Sequence, residues 1–248
     1  MNLNGLHGLV IGVANQHSIA WGCAKAYAGA GARLTMTYQN AKALAHVAPL
    51  AESIGATLVE LDVRNPAQWD ALFEPLEALD FALHAIAFAP KADLHGPLVN
   101  ASLDGFSMAM EVSCYSLIEL ARRARPHMTQ GGAITTLSYY GAQRVVPNYQ
   151  LMGPVKAALE ASVRQLSVDL GADAIRVNAL SPGPIATRAA SGLAHFDELM
   201  AIAAKNAPLG ELTTIDDVGQ FATFLASPSA RHVTGQTLYV DAGYCIRD

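Results

Sequence analysis

Short apolar segments alternate with longer segments of helical periodicity along most of the chain, and this alternation restricts the possible folds more than any other feature. The segments with strand character are 8–13, 32–38, 56–62, 81–88, 132–138, 175–181 and 236–242. The segments with helix character are 18–31, 41–55, 66–79, 103–126 and 148–171. Because strands that alternate with helices form parallel βαβ units, the pattern predicts an α/β fold: a doubly wound parallel sheet of the Rossmann type in a three-layer αβα arrangement.

The composition indicates how many domains the chain has and which classes of partner are excluded. No repeat, low-complexity tract or linker interrupts the 248 residues, so a single domain over 1–248 is expected. A net charge of −5 with scattered lysines and arginines predicts no nucleic-acid partner. We expect no membrane association, because the first residues lack a signal-peptide pattern and every apolar run is far shorter than the ~18 residues of a membrane span. The 52% of hydrophobic residues fits a large core and a buried subunit interface equally well.

The cysteines and histidines suggest no metal site. Cys23, Cys114 and Cys245 are odd in number and far apart, which fits reduced thiols in the cytoplasm rather than a disulfide framework or a zinc site. No group of His, Asp and Glu has the spacing of metal ligands, so no metal is expected. His17 is expected on a loop surface, and His84 is expected as a buried structural residue within an apolar strand.

The loop after the first strand is a candidate nucleotide site. Ligands of a doubly wound sheet bind where the carboxyl ends of the strands meet. The sequence GVANQHSIA places Gly12 at the end of the strand and Ser18 at the start of the next helix. A glycine lets the backbone approach a pyrophosphate, and a helix N-terminus favours an anion. The usual G-x-G-x-x-G is absent, so a dinucleotide site and an ordinary turn with a serine cap are equal alternatives here.

The next two strand ends carry groups suited to the adenosine half of a dinucleotide. Gln39 and Asn40 follow the second strand and are neutral, where an acidic residue would select NAD and an arginine NADP. The third strand ends at Asp62 and Val63. Asp62 is suited to the adenine amino group, with Val63 against the ring, or else it simply starts the turn before Pro66.

The stretch LSYYGAQRVVPNYQLMGPVKA, residues 137 to 157, raises the question of which tyrosine does chemistry. The usual Tyr–Lys spacing would require a tyrosine at position 152, where Met152 stands. In one continuous helix, Tyr149 and Lys156 would differ by about 20° in direction and ~10.5 Å in rise. Tyr149 would then reach over a substrate while Lys156 holds a ribose; the alternative is a packing tyrosine and a solvated lysine. Pro154 removes a helix hydrogen bond, so the regular helix is expected to start near Met152.

Four segments together carry a family resemblance: Gly12-x5-Ser18-x-Ala20, HAIAFAP (84–90), the 137–157 stretch and VNALSPGPIATRAASG (177–192). They occur in order and at matching intervals. They resemble the bacterial enoyl-acyl-carrier-protein reductases, a divergent branch of the short-chain dehydrogenase/reductases, over almost the whole chain. The resemblance implies NADH-dependent reduction of the C=C bond of an enoyl thioester on acyl carrier protein, for fatty-acid synthesis, by a cytoplasmic homotetramer.

The resemblance also implies roles for individual residues. Tyr149 matches the tyrosine that hydrogen-bonds the thioester carbonyl, and Lys156 matches the lysine on the ribose hydroxyls of the cofactor. Tyr139 matches a second active-site tyrosine that faces the substrate, whereas Tyr140 matches no catalytic position. Ten further positions match cofactor contacts: Gly12, Ser18, Ile19, Gln39, Asp62, Val63, Ile86, Ala87, Ile185 and Thr187.

The longer Tyr–Lys spacing suits this chemistry. An enoyl reductase delivers hydride to Cβ, so negative charge develops on the carbonyl oxygen, two carbons away from the hydride acceptor. A phenol set farther from the ribose can stabilise that oxygen. The competing interpretations are a carbonyl or alcohol oxidoreductase of the same fold and a non-catalytic NAD-binding regulator. Ala87, Ala186 and Pro154 depart from the family pattern and leave the preferred acyl chain open.

Two further expectations concern the lid and the cofactor. Segment 187–207 is expected to form a mobile lid over the acyl pocket, because it follows a Pro-Gly-Pro break and carries an apolar helical stripe. NADH is expected to be preferred over NADPH, because Tyr38, Gln39 and Asn40 offer no cation to a 2′-phosphate.

Overall fold

The computed structural model describes residues 1–187 and 196–247 of the chain. One sheet of seven strands forms its centre: His7–Ile11 (β1), Arg33–Tyr38 (β2), Thr57–Glu60 (β3), Phe81–His84 (β4), Gly132–Leu137 (β5), Ile175–Pro182 (β6) and Thr237–Val240 (β7). The strands lie in the order β3-β2-β1-β4-β5-β6-β7, and each neighbouring pair is parallel. The predicted doubly wound parallel sheet is therefore confirmed.

Helices cover both faces of this sheet. Their bounds are Ile19–Gly29 (α1), Ala41–Ser53 (α2), Pro66–Phe73 (α3), Lys91–Leu94 (α4), Leu103–Met110 (α5), Ser116–Ala124 (α6), Met152–Asp169 (α7), Phe196–Asn206 (α8) and Ile215–Ala226 (α9). A π-helical turn, Glu111–Tyr115, joins α5 to α6. Helices α1, α2 and α9 pack on one face, and α3, α6 and α7 pack on the other. The three-layer αβα arrangement is confirmed.

Side-chain alternation along the central strand explains the two cores. Leu9 and Ile11 of β1 belong to the core on the α7 side, whereas Val10 between them belongs to the core on the α1 side. All three side chains are fully buried, as expected for a strand covered on both faces. Burial of each such aliphatic side chain stabilises the fold by roughly 1.5–3 kcal/mol.

Several predicted boundaries differ from the observed ones. The helix predicted over 148–171 begins only at Met152, as the position of Pro154 in its first turn suggested. The helix predicted over 103–126 contains the π-helical turn. Helix α9 was not predicted, although Thr214 and Asp217 form a capping box at its start. The apolar run 81–88 is a strand only as far as His84.

The predicted lid segment lies partly outside the described residues, which omit 188–195. The described part of that segment includes α8, in agreement with its helical stripe, and Ala203 of this helix is buried. Its role as a lid stays a prediction. Within the described ranges, none of the helices has the length and apolar character needed to cross a membrane.

Candidate active site

The loops that follow the strands meet along one edge of the sheet, because all the strands are parallel. Strands β2 and β3 lie on one side of β1, and the chain then returns to place β4 on its other side, so the switch point where ligands of such sheets bind lies between β1 and β4. The residues predicted to bind a cofactor follow the strands as expected: Gly12 follows β1, Gln39 follows β2, Asp62 and Val63 follow β3, Ile86 and Ala87 follow β4, and Ile185 and Thr187 follow β6.

The turn from β1 into α1 requires its glycine. Gly12 has φ +105°, and a Cβ at this position would lie 2.2 Å from the Ala85 carbonyl oxygen. Ser18 is the N-cap of α1: its Oγ accepts from the Trp21 amide at 3.4 Å and donates to the Asn15 carbonyl at 2.7 Å. Ile19 opens the helix and packs partly buried against the core. The start of α1 thus presents its positive dipole end at the switch point.

In the loops after β2 and β3, some polar side chains form hydrogen bonds with nearby backbone amides. Asn40 caps α2, because its Oδ1 accepts from the Ala43 amide at 3.1 Å, whereas Gln39 is exposed beside it. Asp62 is half-buried, and its Oδ1 accepts from the Arg64 amide at 3.0 Å. The turn-forming role of Asp62 is therefore observed, and its contact with adenine stays a prediction. Val63 packs against the core on the α7 side.

The loop after β4 is held by a residue that the sequence did not single out. Ser113 of the π-helical turn is fully buried, and its Oγ accepts from the Phe88 amide at 2.9 Å and donates to the Phe88 carbonyl at 3.0 Å. Within this loop Ile86 is half-buried and Ala87 is exposed. The two bonds fix the backbone next to the predicted cofactor contacts.

The loop after β6 completes this edge. Ile185 packs partly buried against the core on the α1 side, and the Thr187 amide donates to the Ile185 carbonyl at 2.8 Å. At the end of the strand, Ser181 is buried, and its Oγ has no hydrogen-bond partner among the described residues. By strand alternation Ser181 faces the same side as Ala179, the side on which α7 packs.

The two predicted active-site tyrosines lie against each other. The Tyr139 and Tyr149 rings are edge to face, with centroids 4.8 Å apart. Tyr149 is only 9% exposed, and the Tyr139 hydroxyl is buried without a hydrogen-bond partner in the described part of the chain. Gly141 lies beneath the pair, since a Cβ there would be 2.4 Å from Tyr149 Cδ1.

The helical geometry predicted for Tyr149 is wrong. Tyr149 precedes α7 and lies in a turn between Asn148 and Gln150, which have φ of 63° and 37°. A non-glycine residue rarely adopts this left-handed region, and two such residues mark a sharply turned segment. The values of 20° and 10.5 Å expected for a continuous helix therefore do not apply between Tyr149 and Lys156. The tyrosine is positioned by the turn and by the Tyr139 ring.

Lys156 lies inside the protein. It is 5% exposed, and its Nζ donates to the Leu137 carbonyl at the end of β5 at 2.7 Å. Burial lowers the pKa of Lys156 to about 8, against the opposing influence of Cys114 and Glu160. The alternative of a solvated lysine is wrong.

His84 has the structural role that was predicted. Its ring nitrogens contact the Thr136 hydroxyl at 2.8 Å and the Ser116 hydroxyl at 2.7 Å. Ser116 donates its own proton to the Val112 carbonyl, so it accepts from His84 Nε2–H. Burial, and then the charge of Lys156, lower the pKa of His84 to about 3. The imidazole is therefore neutral at physiological pH.

Both phenols keep their protons. Burial, together with the neighbouring tyrosines, raises the pKa of Tyr139 above its ordinary value. Burial raises the pKa of Tyr149 as well, with Tyr139 and Glu160 adding to the effect. A protonated phenol donates a hydrogen bond, so this pair can stabilise negative charge on an adjacent ligand oxygen. Tyr140 packs against the Tyr244 ring, with centroids 5.7 Å apart, and against the apolar cluster that contains Tyr149.

A buried carboxylate completes the site, and sequence reasoning missed it. Glu160 of α7 is 4% exposed and accepts from Ser138 Oγ at 2.6 Å and from Gln143 Nε2 at 3.2 Å. The signal was present in the sequence, since Glu160 lies one helical turn after Lys156 on a face that also holds the apolar Val163. A charged residue on a core-facing stripe is uncommon unless its charge is satisfied.

Comparison with known proteins identifies the relatives of this chain. A family model described as Enoyl-(Acyl carrier protein) reductase matches residues 12–245. The NADH-type enoyl-acyl-carrier-protein reductases of Rickettsia felis and Rhizobium meliloti are each 47% identical to the chain, over 98% of it and over 96% and 91% of their own lengths.

Solved structures agree with this result. The Anaplasma phagocytophilum reductase in complex with NAD has a TM-score of 0.95 and 47% identity, and the match covers 98% of this chain and 95% of that one. The Bacillus cereus reductase, solved with NADP+ and an indole naphthyridinone, has a TM-score of 0.97 and 43% identity over 100% of both chains. The sequence match, the shared fold and the tyrosine–lysine arrangement together show that this chain belongs to the enoyl-(acyl carrier protein) reductase family.

Proposed function

We propose that the chain is an NADH-dependent enoyl-acyl-carrier-protein reductase, which transfers hydride to the β-carbon of a trans-2-enoyl thioester in fatty-acid synthesis. The single observation that carries the proposal is the buried Tyr139 hydroxyl, which has no partner among the described residues and lies beside the Tyr149 ring at a centroid distance of 4.8 Å. A buried hydroxyl without a partner is costly, so its presence at a strand end points to a ligand that supplies the hydrogen bond.

The residues at the switch point fit a dinucleotide. Gly12 leaves the backbone bare where a Cβ would collide with the Ala85 carbonyl, and the N-terminus of α1 faces the same place. Bound NADH supplies the hydride. Gln39 would accept or donate a hydrogen bond at the adenosine ribose, and Lys156 would hold the nicotinamide ribose hydroxyls in place of the Leu137 carbonyl.

The tyrosines would act on the substrate. As hydride reaches Cβ, negative charge develops on the thioester oxygen, and the Tyr149 hydroxyl would donate a hydrogen bond to it. The raised pKa of this buried phenol favours donation over release of the proton. Tyr139 would close the other side of the acyl group and support the Tyr149 ring through their edge-to-face contact.

The competing functions have less support. A carbonyl or alcohol oxidoreductase of this fold places its tyrosine at position 152, and this chain has a buried methionine there. A non-catalytic regulator would have no need of a tyrosine pair and a buried lysine at the same strand end.

We propose a homotetramer, supported by exposed apolar side chains on α5, α6 and α7: Leu103, Phe106, Ile118 and Val168. We propose a cytoplasmic location, supported by three free cysteines. Segment 187–207 is proposed to close over the acyl chain.

The test is reduction of crotonyl thioesters, on acyl carrier protein and on coenzyme A, followed through NADH absorbance, with the saturated product identified by mass. NADH oxidation with formation of the butyryl thioester is expected, and it should be faster on the carrier protein. Failure with both enoyl thioesters, alongside reduction of a ketone or aldehyde, would overturn the proposal.

A further inference from the structure

Helix α7 holds the end of β5 with two side chains of opposite charge. Lys156 donates to the carbonyl of Leu137, and Glu160, one turn later on the helix, accepts from the hydroxyl of Ser138 at 2.6 Å. Both side chains are almost completely buried, at 5% and 4% exposure. The two consecutive residues that they contact lead directly into Tyr139.

Glu160 also holds the far side of the tyrosine-bearing turn. Its second oxygen accepts from Gln143 Nε2 at 3.2 Å. The bonds to Ser138 and Gln143 therefore bracket a segment that contains Tyr139 and Gly141, on which the Tyr149 ring packs. One carboxylate thus connects α7 with both ends of the segment that positions the two phenols.

Glu160 lacks an ordinary ion-pair partner. None of the salt bridges found in the described part of the chain includes it, and both of its hydrogen-bond donors are neutral. A buried charge of this kind is costly unless an opposite charge balances it. Lys156 is the cation with which Glu160 interacts, since Cys114 and then Glu160 raise the pKa of Lys156 against the effect of burial.

The other titratable groups near this pair come from several elements. Those that interact with it are His84 of β4, Cys114 of the π-helical turn, Tyr149 ahead of α7, and Tyr239 of β7. His84 is neutral, and burial raises the pKa values of both tyrosines. Cys114 and Glu160 are the two groups that raise the pKa of Lys156, and of these Glu160 is the one that also holds the segment after β5 through its hydrogen bonds.

We propose that Glu160 is a positioning residue for the reductase site. It holds the segment 138–143, which contains Tyr139 and supports the Tyr149 ring, and it balances the charge of Lys156. The catalytic consequence rests on the function proposed above, because it assumes that Tyr149 and Lys156 act on substrate and cofactor. The electrostatic consequence does not rest on it, because it concerns the protein alone.

The deciding variant is Glu160→Gln, which keeps the size of the side chain and an acceptor for Ser138 while removing the charge. The chain has five lysines, so their Cε signals can be resolved by NMR after labelling with 13C-lysine: Lys25, Lys42, Lys91, Lys156 and Lys205. Lys156→Arg assigns the signal. In the wild-type chain Lys156 is expected to titrate with a pKa of about 8, and in Glu160→Gln at a lower pH.

The lower pKa expected for Lys156 in Glu160→Gln also predicts a change in the kinetics. Loss of the negative charge favours the neutral amine, so the alkaline fall of kcat/KM for NADH should move to lower pH in Glu160→Gln. We expect kcat for an enoyl thioester to drop about 10-fold, the difference between a charged and a neutral acceptor for the Ser138 hydroxyl. A purely structural role would lower thermal stability and leave both the lysine titration and the pH profile unchanged.

Matched variants separate the two parts of the proposal. Asp169→Asn removes one negative charge from the exposed end of the same helix, about 20 Å along its axis from Lys156, and should leave the titration unchanged. Ser138→Ala keeps the charge and removes one hydrogen bond, so it should lower kcat and leave the Lys156 titration as in the wild type.

The outcomes distinguish failure of this inference from failure of the proposed function. A folded Glu160→Gln protein with wild-type lysine titration and wild-type kcat overturns the inference. If Glu160→Gln does not fold, an unchanged kcat in Ser138→Ala overturns it. A wild-type chain that reduces no enoyl thioester overturns the proposed function, while the lysine titration still decides whether Glu160 balances Lys156.

Discussion

Replacement of Gly141 by alanine tests how closely the tyrosine pair is positioned. Gly141 is buried in the short 3-10 turn after Tyr139, and its backbone is compatible with alanine because its φ is not positive. A Cβ built at Gly141 would lie 2.4 Å from Cδ1 and 2.7 Å from Cε1 of Tyr149, and 3.3 Å from Cδ1 of Tyr139. The change is therefore a purely steric push against the ring proposed to act on the substrate.

The size of the effect follows from these distances. Ordinary van der Waals contact begins near 3.4 Å, so the Tyr149 ring must retreat by about 1 Å, the difference between 3.4 and 2.4 Å. Overpacking of this kind costs ~1–3 kcal/mol in stability, and for a chain of this size each kcal/mol lowers Tm by ~2–4 °C. A 1 Å displacement of a reacting group costs on the order of 100-fold in rate.

The assay compares kcat, the dissociation constant of NADH and Tm. Gly141→Ala should lower kcat by about 100-fold and Tm by several degrees, with little effect on NADH binding. Gly171→Ala is the matched control, since it lies in another 3-10 turn and its Cβ would have no atom within 4 Å. A Gly141→Ala enzyme with the kcat of the wild type would refute the argument that this turn positions the phenol.

Other changes test the remaining assignments. Tyr149→Phe should lower kcat by roughly 10²- to 10³-fold with NADH affinity unchanged, and wild-type single-turnover rates would remove Tyr149 from the chemistry. Lys156→Ala should instead weaken NADH binding in a fluorescence titration, and unchanged affinity would contradict its contact with the ribose. NADH should be favoured over NADPH by ~5- to 150-fold in kcat/KM, because the neutral Gln39 side chain cannot neutralise a 2′-phosphate. Equal values would show that a cation such as the exposed Lys42 reaches the site. The pKa of His84 is lowered from 6.5 to about 3, so between these pH values the unfolded chain binds more protons than the folded one. The free energy of unfolding should therefore fall as the pH drops from 6.5 toward 3. Urea titrations of His84→Gln should show a flatter dependence of this free energy on pH, and an identical slope would count against His84 as its source.

The sheet and its binding edge could be predicted from the sequence because their signals are local. A strand buried on both faces needs a continuous apolar run, and β1 and β4 carry one. Once strands and helices alternate, parallel pairing follows, and the loops after the strands must meet at one edge. The positions of Gly12 and Tyr139 at that edge followed from the same argument.

The local geometry of the tyrosine site could not be predicted in this way. A helical pattern extends through residues 148–151, yet tertiary contacts place Asn148 and Gln150 in the left-handed region and turn Tyr149 onto the Tyr139 ring. Intrinsic preference gives no reason for Gln150 to adopt that conformation. The role of Glu160 depends on hydrogen bonds to residues about twenty positions earlier in the chain, and no local pattern specifies those partners.

The π-helical turn sets the relative phase of the two helices that it joins. It takes one residue more than a regular turn, so the sequence after it is rotated by about 100° and shifted by ~1.5 Å relative to an uninterrupted helix. This phase lets Ser113 reach the β4 loop and Ser116 reach His84 while Leu117 remains in the core. Deletion of Cys114 or Tyr115 would restore a regular helix and rotate Ser116 and Leu117 by about 100° relative to Ser113, so the three contacts could not form together. The exposed positions Glu111 and Tyr115 should therefore accept changes of residue type, whereas the segment should accept no change in its number of residues.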